Sequence, residues 1–281
     1  MGIDDERDAS ARATAFRRFL LAEAAVHSWI VIGLGRSAEL HGVLLPCAVA
    51  LTAAAGAVFL PRFERPSLAL AFATMLARAV WTFPDPYNHL VLELILCGAA
   101  ALTLPRSPAE QRLLLQFARW MIVIVLFWSG LQKVLHGCYF QGQFLAFAVA
   151  THENFSMPFA VVFPQEVLRL RELAGVLPGE GPYLVDRVLF VAISNLVWIS
   201  ELLLPIALVV RRTRTLALAA SILFVLCVEV IARELVFGVL FVNGLLLFAP
   251  GNVYRKAFWP FMGILLGLLA AELMFPDAGL N

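Results

Sequence analysis

Apolar segments of membrane-spanning length occupy most of this chain and constrain its fold more than any other feature. About 20 mostly apolar residues in a helix cross the hydrocarbon core of a bilayer. Hydrophobic residues make up 61% of the 281 positions and charged residues only 15%, whereas soluble domains are about 45–50% apolar and about 25% charged. The sequence therefore predicts an all-α, polytopic membrane protein and excludes an ordinary soluble domain or a disordered chain.

The apolar pattern predicts about nine transmembrane helices. They are Phe16–Gly35, Gly42–Leu60, Pro66–Phe83, Asn88–Leu104, Arg112–Leu135, Leu184–Val210, Thr215–Arg233, Leu235–Ala249 and Ala257–Phe275. Every second connection between them carries a cluster of arginine or lysine, and such clusters collect on the cytoplasmic side. We therefore expect a cytoplasmic N-terminus and an external C-terminus.

One long connection, about residues 137–182, falls on the outer side in this topology. Its apolar pieces are too short to span a bilayer and alternate with charged residues, a pattern typical of interfacial amphipathic helices. We expect these helices to form a short cap over the bundle. The whole chain, 1–281, is predicted to be a single transmembrane domain without a separate soluble domain or a cleaved signal peptide.

Charge and cysteine content exclude several classes of function. The formal net charge is +1, so no strong field favours nucleic acid as a partner. The four cysteines are scattered without a C-x-x-C pair, which predicts neither a disulfide framework nor a zinc site. The histidines show no ligand spacing, and no metal is expected.

Ionisable residues inside the predicted spans are candidate functional residues, because each costs at least about 2.5–3.5 kcal/mol to insert. They are Glu23, His27, Arg78, His89, Glu93, Lys133, Asp186, Arg187, Glu201, Glu229 and Arg233.

Some of these residues also have structural interpretations. Glu229 and Arg233 lie four residues apart, so they can pair along one helix face. Glu23 and His27 have the same spacing, and Glu23 can contact Arg17 or Arg18. Arg78 lies near the end of its span and can snorkel to the interface.

Lys133 is one of only two lysines in the chain, the other being Lys256. It lies near the outer end of the fifth predicted span between Gly130 and Gly137. Small residues let neighbouring backbones approach, and a lysine thereby closed off from water loses its charge and becomes a usable general base. The alternative is an interfacial lysine that snorkels to water.

His89 and Asn88 open the fourth predicted span on the same outer side, directly after Tyr87. We expect His89 to face Lys133, with Asn88 and Tyr87 orienting both groups in a proton-transfer site. Asn88 can equally serve as a helix N-cap.

Three segments share the motifs of one known family. They are Asn88-His89 at a helix start, Gly130-Leu131-Gln132-Lys133-Val134 followed by Tyr139 and Gly142, and SELLLPIALVVRRTRTLAL at residues 200–218. Together they resemble the membrane domain shared by vitamin K-dependent gamma-carboxylase and the bacterial horizontally transferred transmembrane (HTTM) proteins. The resemblance implies that Lys133 deprotonates a reduced quinone like vitamin K hydroquinone. It also implies that His89 stabilises the carbanion chemistry and that Asn88 orients them.

Further candidates for substrate binding or orientation are Tyr87, Arg78, Trp128, Tyr139 and Glu201. Trp128 can alternatively belong to the packing or to an aromatic belt. Glu201 stands out because it lies deep in an apolar span just before Pro205, whose missing N–H frees a carbonyl one turn earlier.

The function expected from these features is that of a membrane-embedded enzyme, a carboxylase-like lyase or oxygenase in a bacterial inner membrane. Its lysine base would deprotonate a quinol-like or other lipophilic substrate to drive carboxylation or related carbanion and oxygenation chemistry, in a site open to the periplasm. The expected partners are the lipid bilayer and a lipophilic small molecule or a small peptide. Two alternatives remain open: a transporter that uses Glu201, Arg78 and Glu229, and a structural or immunity-type membrane partner.

Overall fold

The structure is a computed structural model that describes residues 6–33, 38–83, 88–103, 107–176, 183, 185, 187–232 and 234–274. It is all-α and 89% helical, and the described residues contain no strand. The predicted fold class is confirmed at this level.

The described residues form twelve α-helices and a short 3-10 helix, Pro61–Phe63. The α-helices are α1 (Glu6–Gly33), α2 (Ala38–Ala57), α3 (Glu64–Trp81), α4 (Asn88–Leu102), α5 (Pro108–His136), α6 (Gln143–Thr151), α7 (Glu153–Val162), α8 (Pro164–Val176), α9 (Val188–Val209), α10 (Arg214–Ala232), α11 (Leu235–Leu246) and α12 (Gly251–Met274). Each of the nine predicted spans overlaps one of these helices, and several helices, such as α1, extend beyond the predicted bounds. The long connection at residues 137–182 contains the other three, α6 to α8, as short helices.

Within the described residues, three helical segments are long and apolar enough to cross a membrane: Pro108–His136, Val188–Val209 and Gly251–Ala271. The 29 residues of α5 form a helix about 43 Å long at a rise of about 1.5 Å per residue. This length exceeds the thickness of a hydrocarbon core, about 30 Å. Gly42–Ala57, Leu90–Leu102 and Leu235–Leu246 are apolar but shorter. The count of nine spans and the side of the N-terminus stay predictions.

The chain divides into two compact units. Unit 1 comprises Met1–Trp120 and Glu234–Asn281, and unit 2 comprises Met121–Arg233. In unit 1, α1 contacts α2, α4, α11 and α12, and its apolar side chains are almost completely buried. In unit 2, α6 to α8 pack on one another, and α10 packs against α7 and α9.

Two arginines, Arg12 on α1 and Arg119 on α5, bind backbone carbonyls at the end of α11 in unit 1. Arg12, only 1% exposed, donates hydrogen bonds to the carbonyl oxygens of Leu247 at 2.6 Å and Ala249 at 3.3 Å. Arg119 donates to the same Leu247 oxygen at 2.8 Å. The last carbonyls of a helix have no partner within the helix, so these guanidinium groups satisfy acceptors that the fold buries.

A cluster of apolar side chains forms the core of unit 2. It joins the short helices α6, α7 and α8 to the first turn of α9 through the buried residues Leu145, Ala146, Val149, Ala150, Phe159, Val167, Leu170, Tyr183 and Phe190. The segment predicted as a cap thus has its own packed interior.

Replacing Arg17 by alanine is expected to destabilise unit 1. The Arg17 side chain is fully buried, and its Nε donates to Oε1 of Glu64, 17% exposed, at 2.7 Å. Breaking a fully buried ion pair costs about 3–5 kcal/mol; because Glu64 retains some contact with solvent, we expect a loss of about 2–3 kcal/mol for Arg17→Ala. The measurement is denaturant unfolding in detergent. The control is Arg65→Ala at an exposed position beside Glu64, which should change stability little; equal losses in both variants would contradict the interpretation.

Candidate functional site

The position of Lys133 follows from the way α5 begins and ends. A capping box opens the helix, in which the Ser107 N–H donates to Glu110 Oε2 at 3.1 Å and the Glu110 N–H donates to Ser107 Oγ at 3.3 Å. Gly137 ends it with a φ of 71°, a left-handed conformation that glycine adopts without strain. The Gly137 N–H donates to the Lys133 carbonyl at 3.1 Å, so Lys133 lies in the last turn.

Gly130 brings the backbones of α5 and α9 together one turn before Lys133. A Cβ atom at position 130 would lie 2.9 Å from Cβ of Glu201 and 3.0 Å from the backbone nitrogen of Leu202. Only a residue without a side chain fits this contact. The prediction that Gly130 permits close helix approach is confirmed, and the contact aligns Glu201 with Lys133.

Lys133 and Glu201 form an ion pair in unit 2. The Lys133 Nζ donates to Glu201 Oε1 at 2.8 Å and lies 2.7 Å from Oε2. Ser129 connects the two, since it accepts a hydrogen bond from Nζ at 2.8 Å and donates to Oε1 at 3.1 Å. The side chains are 17% and 8% exposed. Because both charges are largely removed from solvent, each depends on the other for compensation.

Tyr139 covers the lysine end of this pair. The Lys133 Nζ lies 5.3 Å from the centre of the Tyr139 ring, within cation–π range, and that ring stacks on Phe144. Ser194 donates to the Tyr139 carbonyl at 2.9 Å, which fixes the loop on α9. Burial raises the pKa of the Tyr139 phenol, and the negative charge of Glu201 raises it further. Tyr139 therefore keeps its proton.

The ion pair borders an apolar cavity of about 150 Å³. Its polar lining comes from Lys133, Tyr139, Ser194 and Glu201. The remaining lining residues are apolar: Phe144, Leu145, Phe155, Phe159, Ile193, Val197, Val228 and Ile231. A cavity of about this size holds a single aromatic ring such as benzene. The arrangement can therefore receive an apolar ring whose polar substituent meets the ion pair.

Three of the predicted site residues, Lys133, Tyr139 and Glu201, lie together at this cavity. Trp128 is not one of the lining residues and is 53% exposed, and its orienting role stays a prediction. Ser129 and the apolar lining residues were not predicted as part of the site. The spacing of Ser129, one helical turn before Lys133, was the available signal for this serine.

Arg78 lies in a different cluster, in unit 1. It is 1% exposed, and its Nη1 donates to Ser28 Oγ at 3.0 Å. The alternative that Arg78 snorkels to the interface is therefore wrong. The suggested contact of Glu23 with Arg17 is also wrong. Glu23 faces Glu93, and Arg17 binds Glu64.

The predicted partners of Lys133 are Tyr87, Asn88 and His89, at the start of the fourth span. Tyr87 lies outside the described residues, and so do the side chains of Asn88 and His89, although α4 begins at Asn88 as predicted. Arg233, the predicted partner of Glu229, also lies outside them. These pairings stay predictions.

The chain matches no protein-family model, no curated protein and no solved structure. The resemblance to the carboxylase and HTTM family thus stays a prediction.

Substituting Gly130 should disturb the ion pair through the helix contact. In Gly130→Ala the new methyl group meets the backbone of α9, so the helices must separate, at a cost of about 1–3 kcal/mol. Thermal unfolding in detergent should show this loss, and amine labelling of Lys133 should become faster. Gly267→Ala is the matched control, because nothing lies within 4 Å of a Cβ at that helical glycine; unchanged stability and labelling in Gly130→Ala would contradict the contact.

Proposed function

We propose that this chain is an integral membrane protein whose unit 2 binds a quinol-like substrate and removes a proton from its hydroxyl group. One observation carries this proposal: the Lys133–Glu201 ion pair borders an apolar cavity of about 150 Å³. A buried charge pair at the edge of an apolar cavity is poised for a ligand with an ionisable end and an apolar body.

Exposed apolar side chains support a membrane location. On α9, the side chains of Leu189, Leu196, Leu203 and Ile206 are 53–61% exposed, and their spacing of three or seven residues places them along one face. Contiguous apolar faces of this kind are rare on soluble monomers. The nine-span topology, with the N-terminus in the cytoplasm of a bacterial cell and the site open to the periplasm, is part of the proposal.

The substrate class follows from the dimensions and the lining of the cavity. The volume suits one aromatic ring, and the phenylalanine and aliphatic lining offers no hydrogen bonds to it. A phenolic hydroxyl directed at Lys133 and Glu201 would find both a proton acceptor and a positive charge. A reduced quinone has this structure, and it is also the substrate that the family resemblance implies.

We assign removal of the substrate proton to the Lys133–Glu201 pair and not to Lys133 alone. Glu201 supplies a carboxylate within hydrogen-bonding distance of Nζ, and this opposite charge compensates the Lys133 ammonium. The Glu201 carboxylate then accepts the hydroxyl proton, and the Lys133 ammonium stabilises the quinolate left behind. The quinolate is the species that would drive carboxylation or oxygenation chemistry, with His89 as a further predicted participant.

Binding of a single-ring probe tests the site directly. Duroquinol and its dimethyl ether share one ring, but only the quinol has a proton to donate. We expect the protein in nanodiscs, under anaerobic conditions, to bind duroquinol at least about tenfold more tightly than the ether, since one hydrogen bond to a charged group contributes about 1.5–3 kcal/mol. Lys133→Met and Glu201→Gln should lose this preference in equilibrium dialysis.

A second measurement separates the roles of the two residues. Quinolate reduces oxygen faster than neutral quinol, so quinone formation in air reports deprotonation. Lys133→Arg keeps the positive charge but cannot act as a base; it should retain activity while Glu201→Gln loses it. Loss of activity in a folded Lys133→Arg would instead make lysine the base. Equal binding of quinol and ether by the unaltered protein would refute the proposal and favour a structural partner role.

A further inference from the structure

Unit 1 contains a buried cluster of three metal-ligating side chains. Glu23 and His27 lie one turn apart on α1, and Glu93 lies on α4. One ligand atom from each residue lies within 4.8 Å of the others, and all three residues are buried. The cluster plays no part in the quinol site proposed for unit 2.

Glu23 lacks the hydrogen bonds that a buried carboxylate requires. It is 0% exposed, and neither of its oxygens accepts a hydrogen bond from a donor among the described residues. It faces the carboxylate of Glu93 instead. Two acceptors that face each other in an apolar interior repel unless a proton or a cation lies between them.

Among the described residues, the charges that surround the two carboxylates compensate them only in part when His27 is neutral. Arg78 contributes one positive charge near Glu23, and its guanidinium is held by Ser28. His27 contacts Glu93 through Nδ1. With a neutral imidazole, the group of two carboxylates and one guanidinium retains one negative charge, so the interior favours a further cation.

We propose that Glu23, His27 and Glu93 bind one divalent first-row transition-metal ion. Two carboxylates and one imidazole form a ligand set suited to Zn²⁺, Mn²⁺ or Fe²⁺, whereas Ca²⁺ and Mg²⁺ prefer oxygen ligands alone. Bond lengths of about 2.0–2.2 Å in a tetrahedral site place ligand atoms about 3.3–3.6 Å apart. The direct contact between His27 and Glu93 must therefore open to admit an ion, whereas ligand atoms as far as 4.8 Å apart must move inward.

Three protein ligands leave an open coordination position, as in catalytic metal sites. An anionic oxygen ligand at that position, such as hydroxide, would bring the total charge of the ion, the carboxylates and Arg78 to zero. The metal would also join α1 to α4, in a helix pair that already packs together.

A proton shared by the two carboxylates is the alternative to a metal ion. If Glu23 and Glu93 share one, or if His27 is an imidazolium, the cluster is neutral without a metal. The two cases differ in what Glu23→Gln does: it removes a ligand from a metal site, but it relieves repulsion in a metal-free pair and should then raise stability.

Metal binding by the purified, tag-free protein in nanodiscs tests the proposal. After removal of metal by a chelator, we expect about one equivalent of Zn²⁺ or Mn²⁺ per chain by elemental analysis, together with a rise in Tm. Glu23→Gln should weaken Zn²⁺ binding by at least about 100-fold, since even the loss of an outer partner costs 10–100-fold. Glu110→Gln is the control, because glutamine can also serve in the capping box of α5.

Two results would overturn the metal site. The first is the absence of metal uptake and of any Tm shift in the unaltered protein, an outcome that does not depend on whether a variant folds. The second is Zn²⁺ binding of equal affinity in the unaltered protein and in folded Glu23→Gln, which would place the ion at other histidines. Higher stability of Glu23→Gln without metal uptake would establish the shared proton.

Discussion

A charge placed inside an apolar helical bundle is stable only when a compensating group reaches it, and this requirement organises both units of the chain. Burial removes the water that would otherwise solvate an ion, at a cost of several kcal/mol per group. Arg12 meets the carbonyls at the end of α11, and Arg17 meets Glu64. Lys133 meets Glu201 in the same way. Each of these contacts joins elements that are distant in the sequence.

The two candidate sites use this constraint differently. At the cavity in unit 2, positive and negative charges are matched. A ligand can therefore transfer a proton to the pair while the summed charge of the pair and the ligand stays zero. At the cluster in unit 1, two carboxylates face each other, with Arg78 as the nearby cation. A matched pair suits proton transfer, whereas an excess of acceptors suits the binding of a cation.

Helix content and the position of several candidate residues could be predicted from local features. Apolar runs of spanning length favour helices, because a helix satisfies its own backbone polar groups, and each of the nine predicted runs overlaps one. Gly130 marked a close helix contact, and Lys133 and Glu201 were conspicuous as ions in apolar surroundings. The division into two units could not be predicted, because it depends on which helices contact each other, and apolar surfaces pair with little selectivity.

The sequence by itself determined the helices, their ends at signals such as the Ser107–Glu110 box and Gly137, and the residues that need explanation. Only the tertiary structure decided the partners. Lys133 and Glu201 are 68 positions apart, and Glu93 is 66 positions from His27. Helical periodicity extends only three or four residues along the chain, so it cannot identify a partner on another helix. Packing selects that partner, because a buried charge no longer contacts water and must be compensated by a group packed against it.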